Sequence, residues 1–298
     1  MYLFLNGYTF VSEEFSAQDA LSVTPYASLR LTCSFNAEAG MIRSVTGVAI
    51  VLFSNILMMS AQNVAPADSM PRPKVILVEL FTSEGCSSCP PADDILRKID
   101  GTEPAPGQLI VGISEHVTYW NSLGWSDPFS SPTYTDRQNG YGTRFGLDSV
   151  YTPQMVVNGT EQFVGSDTNS LVKALKKEQD SVAPVALQIL SVNPSADRLT
   201  VNFAAMGAAS SRGAEIFAVI TEDAAHSTVL RGENSGRTLS HVAVARSMVR
   251  VAKLQDNAQQ TVQIALPDSF HKTQGHRLIL FVQASGSGRI LGADFKPL

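Results

Sequence analysis

The sequence predicts an α/β domain followed by an all-β sandwich, and three observations carry the prediction. The apolar runs of the first half, Val75–Phe81 and Leu109–Ile113, are continuous, as strands covered on both faces are. Between them, Cys86-Ser87-Ser88-Cys89 falls where the first run gives way to a helix opening at Pro90-Pro91. From Pro184 onward the pattern changes to short alternating runs separated by turn signals, which indicates antiparallel sheets packed face to face.

The elements of the first part follow in order. Residues 66–73, rich in proline and small residues, form a linker, and Val75–Phe81 is a buried strand. Ile95, Leu96 and Ile99 make the inward face of a short helix whose first turn carries Asp93 and Asp94, placed well for the helix dipole or to relay a proton to Cys89. Leu109–Ile113 is the second strand. His116 to Phe129 is an aromatic-rich loop with Tyr119, Trp120 and Trp125, after which Ser131-Pro132 opens a second helix. Tyr134, Gln138, Tyr141 and Phe145 fall on one face of that helix. Met155–Val157 and Glu161–Val164 flank Asn158-Gly159, a hairpin signal, and Leu171, Val172 and Leu175 mark a last helix. The order is β-α-β-α-β-β-α over residues 72–182.

The second part, residues 184–298, contains alternating runs at Val185–Ile189, Leu199–Phe203, Ile216–Ile220, Val242–Val251, Val262–Leu266 and Leu278–Val282. They read as sandwich strands.

The chain has 298 residues, 44% of them apolar and 16% charged, with a net charge of −5 and no basic run, which argues against a nucleic-acid partner. A basic start at Met41-Ile42-Arg43, an apolar stretch at 45–59 and small residues from Ser60 to Ala67 have the layout of a signal peptide. The expected location is periplasmic or secreted; the alternative is an inner-membrane anchor through residues 45–59, although that stretch is short for a span of roughly 20 residues. Translation is expected to start at Met41, making residues 1–40 a mis-assigned extension; a peptide from residues 1–40 in the native protein would refute this. Cys33 would then be lost, leaving Cys86 and Cys89 as the only thiols.

Two cysteines two residues apart at a helix N-terminus make a reactive dithiol, because unpaired amide N–H groups and the helix dipole stabilise a thiolate there. Cys86, expected nearer the surface, would attack, and Cys89 would resolve. Two further readings stay open: a copper site with His116 as third ligand, as in a periplasmic metal chaperone, and a permanently closed structural disulfide in a redox-inert interaction protein. His116 is placed to line the dithiol, or is a hydrogen-bonded structural residue; Trp120, Trp125 and Phe129 floor a peptide groove or seal a packed face. Glu233, Arg237 and His241 are candidates for a polar contact between the two parts. No cofactor fingerprint, HExxH or Walker motif is present.

The β-α-β-α-β-β-α order with its CxxC resembles the thioredoxin-like superfamily, which makes the expected architecture an α/β thioredoxin-like domain followed by the sandwich. The resemblance extends to Thr152-Pro153 before the third strand, where it implies a cis-proline and backbone that pairs with bound peptide. The longer string Val78-Glu79-Leu80-Phe81-Thr82-Ser83-Glu84-Gly85-Cys86-Ser87-Ser88-Cys89-Pro90-Pro91-Ala92-Asp93 is similar to the hallmark of the DUF1223 family, secreted bacterial proteins. His116–Trp120, Leu123–Phe129 and Gly232–Arg237 with His241 and Arg246 extend the likeness across residues 75–298. One departure is Thr118, where an acidic residue is expected. The resemblance implies a thiol–disulfide oxidoreductase acting through Cys86 and Cys89 on protein or small-molecule thiols, with Thr152, Pro153, His116 and Trp120 beside the substrate and without metal or cofactor.

Overall fold

A computed structural model describes residues 72–207, 213–255, 257–286 and 288–298. The expected extension 1–40, the signal-like segment 41–67 with its apolar stretch 45–59, and Cys33 lie outside them.

The chain order is β1 (Lys74–Thr82), α1 (Pro90–Ile99), β2 (Gln108–His116), a 3-10 turn (Tyr119–Leu123), α2 (Pro132–Phe145), β3 (Gln154–Val157), β4 (Glu161–Val164), α3 (Thr168–Gln179), then β5 (Ala186–Pro194), β6 (Arg198–Met206), β7 (Glu215–Thr228), β8 (Thr238–Lys253), β9 (Ala258–Ala265), β10 (His276–Gln283) and β11 (Ile290–Pro297). Local chemistry explains the helix starts. Pro opens α1 and α2 at a position that needs no N–H, and Ser131 and Asp167 cap α2 and α3 through side-chain oxygens that accept from the first turn. The β3–β4 turn places Asn158 and Gly159 in the left-handed region, at φ 45° and 65°.

The expected α/β thioredoxin-like domain with a sandwich behind it is not what the strands build. Eight of them join one mixed sheet in the order β11-β10-β7-β8-β2-β1-β3-β4, and the protein is mostly β, with three α-helices among the described residues. The seam is the parallel contact of β2 with β8 at Ser114 and Val244, next to Ala243, whose φ is 51°. β5, β6 and β9 form a separate three-stranded antiparallel sheet.

The physical reason lies in β10. His276–Gln283 is buried nearly from end to end, so it is covered on both faces and is not a half-wet sandwich strand. Leu278, Leu280 and Val282 pack with Ile216, Ala218 and Ile220 of β7 against Ile189, Val201 and Phe203 of the small sheet. On the other face Ile279 and Phe281 join Leu77, Val111, Ile113 and Tyr134. A third cluster, Ile76, Val78, Leu80, Ile110, Met155 and Val157, seats α1 through Ala92 and Leu96, and α3 through Leu171 and Ala174. The sheet edge where β1 enters α1 thus meets the β7–β8 hairpin directly.

Candidate functional site

Cys86 and Cys89 are joined by a disulfide at the mouth of α1. The Cys86 N–H donates to the Ser83 carbonyl at 3.2 Å, and the Cys89 carbonyl accepts from the N–H groups of Ala92 and Asp93 at 2.9 and 3.1 Å. The Cys86 Sγ lies 3.3 Å from the Ser88 hydroxyl. Cys89 occupies the N-cap position without a side-chain capping bond, and since Pro90 and Pro91 bring no N–H to the first turn, the disulfide meets the positive end of the helix dipole. Both cysteines are 0% exposed, which corrects the expectation that Cys86 lies nearer the surface; only Ser87 and Ser88 of the motif face solvent.

The cover comes from the β7–β8 connection, residues 229–237. The Asn234 side-chain amide donates to the carbonyls of Glu84 and Cys86, each at 2.9 Å, and its own carbonyl accepts from Arg237 at 2.8 Å. Glu233 accepts the Ser87 N–H at 2.9 Å, and that bond holds its carboxyl below the ordinary value. Gly232 and Gly236, at φ 77° and 79°, let the loop fold back tightly. Glu233, Arg237 and His241 therefore do contact the CxxC turn, at Ser87, through Asn234 and at Glu84 respectively.

Beneath the turn lies a buried polar network centred on Glu84. Its carboxylate accepts from Trp125 Nε1 at 2.8 Å, from the Ser227 hydroxyl, and faces His241 Nε2 at 3.3 Å. His241 Nδ1 stands 3.7 Å from Asp93 Oδ2 on α1. Burial pulls the His241 pKa down, but Asp93 and Glu84 outweigh it and push it up to about 9. His116 packs edge-on against the His241 ring, with centroids 4.6 Å apart, and its Nδ1 meets Asp127 Oδ2 at 2.7 Å. Asp127 also accepts the Glu84 and Phe129 N–H groups. Burial raises the Asp127 carboxyl, while His116 and these N–H groups more than reverse the effect and leave it below the ordinary range.

The residues expected beside the substrate divide into two sets. Trp120 Nε1 donates to the Thr152 hydroxyl at 2.7 Å, and its Cβ lies against Gly85, where any added Cβ would come within 3.0 Å. The Thr152–Pro153 bond is cis, in line with the expectation. Trp120 thus adjoins the CxxC turn at Gly85 and links it to Thr152, while Pro153 packs against Gly165. His116 is fully buried apart from them, behind Glu84 and against His241. Asp94 is exposed and paired with Arg97. Sequence reasoning passed over Glu84 as a hub, together with Ser227 and Asn234. One signal was available: an acidic residue between a buried strand and a CxxC, in a turn with little room for charge.

Among the described residues, no group of three or more His, Cys, Asp or Glu side chains is disposed to hold a metal ion. No helix among them is long and apolar enough to cross a membrane.

Comparison with known proteins places the chain. A solved protein from Agrobacterium tumefaciens is similar to it with 29% identity and a TM-score of 0.54, over 76% of this chain and 95% of that one. HBP35 of Porphyromonas gingivalis, 17% identical, shares the fold with a TM-score of 0.54 over 76% of this chain and 75% of its own. No curated protein matches. The family model described as "Protein of unknown function (DUF1223)" matches residues 77–283, from the strand that delivers the cysteines to the end of β10. That match takes in the disulfide, the Glu84 network and the covering loop together, and the chain belongs to the DUF1223 family.

Proposed function

We propose that this chain is an exported thiol–disulfide oxidoreductase acting through Cys86 and Cys89 on protein or small-molecule thiols. The observation that carries the reading is the disulfide itself, set at the N-terminus of α1. There the positive end of the helix dipole favours thiolate over thiol, which is the condition for exchange. In the reduced protein the Cys86 thiolate attacks one sulfur of a partner disulfide, and the partner's other sulfur leaves as thiolate. Cys89, once deprotonated, attacks Cys86 Sγ, forms the Cys86–Cys89 bond and releases the second partner thiolate. Two electrons pass to the partner, and the reverse sequence oxidises it. Kinship with the thioredoxin-like superfamily belongs to this proposal and rests on the CxxC at a strand–helix junction, not on overall architecture. Export rests on the signal-like layout of residues 41–67 and on the persistence of disulfides outside the cytosol.

Cys89→Ser removes the resolving thiol, so mixed disulfides through Cys86 should accumulate in the exported compartment and separate on a non-reducing gel. If none forms, and Cys86→Ser behaves identically, the oxidoreductase reading fails.

A further inference from the structure

Reducing a disulfide that water does not touch requires protons as well as electrons. Both sulfurs of the pair are fully buried, so a bare thiolate at the inner one is penalised by desolvation and calls for a proton from the protein. Three buried polar atoms near the pair have no hydrogen-bond partner: Asp93 Oδ1, His241 Nδ1 and His116 Nε2. Orphans of this kind are rare in a settled core and call for an explanation. Here they cluster in one patch. Asp93 sits one helical turn after Cys89, and its N–H bonds the Cys89 carbonyl, which brings the carboxyl to the Cys89 side of α1. It has a further exposure, for it lines a polar cleft of about 180 Å³ with Asp94, Arg97, Arg237 and Ser240. Asp93 therefore lies between the CxxC turn, His241 and solvent.

We propose that His241 is a positioning residue for the dithiol, holding the proton that Cys89 takes up on reduction and returns on oxidation, with Asp93 Oδ1 as the bridge. This rests on the oxidoreductase reading and assigns its inner proton. When a dithiol reductant attacks Cys86 Sγ, the S–S bond breaks and its electron pair goes to the Cys89 sulfur. That sulfur takes a proton by way of Asp93 from His241, which becomes neutral and is recharged through the cleft. A second reductant thiolate then displaces Cys86 as thiolate, and the reductant leaves as its own disulfide. On oxidation the charged His241 first gives its proton up to solvent through the cleft, and the Cys89 S–H then passes its own proton by way of Asp93 to the neutral ring before attacking the mixed disulfide. The charged or titratable groups around His241 are Glu84 from the turn after β1, Asp93 from α1, His116 from β2 and, behind His116, Asp127. Two carboxylates face the ring directly, so it holds its charge to about pH 9 in the disulfide form.

The test uses imidazole NMR titration of the whole protein, with His241 assigned by its loss in His241→Gln. In the disulfide form the cysteines do not titrate, so the His241 curve is clean. After reduction with a phosphine, a Cys89 S–H bonded to Asp93 weakens that carboxylate's hold on the ring, and the His241 midpoint should fall by about one pH unit or more. His241→Gln should slow closure of the Cys86–Cys89 bond from the mixed disulfide by about a hundredfold near neutral pH, leaving the first attack by Cys86 unchanged. Asp93→Asn, which keeps the shape of the bridge, should lose the same step, so the test survives if His241→Gln does not fold. An unchanged His241 midpoint in the two redox forms, or wild-type closure in Asp93→Asn, overturns the proposal. Failure of the oxidoreductase reading shows differently, as a wild-type pair that exchanges with neither dithiothreitol nor glutathione.

Discussion

Glu115 and Glu79, on neighbouring strands β2 and β1, are fully buried and share one guanidinium, that of Arg137. The sharing is unequal. Arg137 Nε donates to Glu79, Tyr141 donates its hydroxyl to the same carboxylate at 2.6 Å, and Glu115 sees Arg137 only at 3.7 Å, with both its oxygens unpartnered. Burial first, and then the neighbouring Glu79, hold the Glu115 carboxyl well above its ordinary value. The folded protein therefore keeps a proton that the unfolded chain has released once pH exceeds about 4.5. A raised carboxyl contributes stability below its unfolded pKa that drains away as pH climbs toward the folded one. Glu115→Gln mimics the protonated form, so denaturant titrations from pH 4 to pH 8 should show a shallower decline than wild type. A wild-type slope in the variant would mean that Glu115 is ionised in the fold. The same scale shows what a sequence can reveal about a site. Cys86, Cys89 and His116 announce themselves by residue type and local spacing, whereas Glu84 gains its meaning from His241 and Asn234, 157 and 150 residues away. No local pattern carries a contact of that span.

At the level of elements, the β7–β8 connection explains how a dithiol can sit at a sheet edge and still be sealed. Its hold is polar and specific: two carbonyls of the CxxC turn on Asn234, and the Ser87 N–H on Glu233. The apolar part of the hold is Val229, buried at the start of the connection, while Leu230 beside it is 68% exposed. Releasing such a loop costs a few hydrogen bonds of about 1 kcal/mol each, which makes local opening far easier than unfolding. Asn234→Ala removes two of them and should speed reduction of Cys86–Cys89 by dithiothreitol about tenfold, measured by thiol alkylation and mass. Equal rates in variant and wild type would show that reductant enters by another route. The segment Gly232–Arg237 could be singled out beforehand as a motif, but its role could not, because a turn's docking partner is set by how two hairpins meet. Helices were easier to read. Pro90, Ser131-Pro132 and the apolar spacing of α1 to α3 act within one or two turns, and those elements lie where the pattern put them.

Across the whole molecule, the continuous sheet replaces two expected domains with one mechanical unit. The difference has a definite source: Leu278-Ile279-Leu280-Phe281-Val282 is an unbroken apolar run that calls for cover on both faces, unlike the alternating runs around it. Its companion Arg277 shows how closely the halves are tied. From β10 its guanidinium reaches Asp100 at the end of α1, at 2.8 Å, and Asp223 on β7 at 2.7 Å. Asp100 in turn accepts the Gly112 N–H on β2 at 2.8 Å. Further along, the Ile290 N–H donates to the Asn158 carbonyl in the β3–β4 turn at 2.9 Å. Bonds that cross between the two halves at separate points, Arg277 with Asp100 and Ile290 with Asn158, couple their unfolding, so the protein should melt in one transition. The two tryptophans, Trp120 and Trp125, both belong to the first half and report on the CxxC turn and the loop docked on it, whereas far-UV circular dichroism is dominated by all eleven strands described. The two signals should coincide in urea. Arg277→Ala strips a largely buried Asp100 of its cation and should cost about 2 kcal/mol, moving both midpoints together by the same amount. A tryptophan transition that shifts while the dichroism stays in place would show that the halves unfold independently, and that the β2–β8 seam joins them in space without joining them in energy.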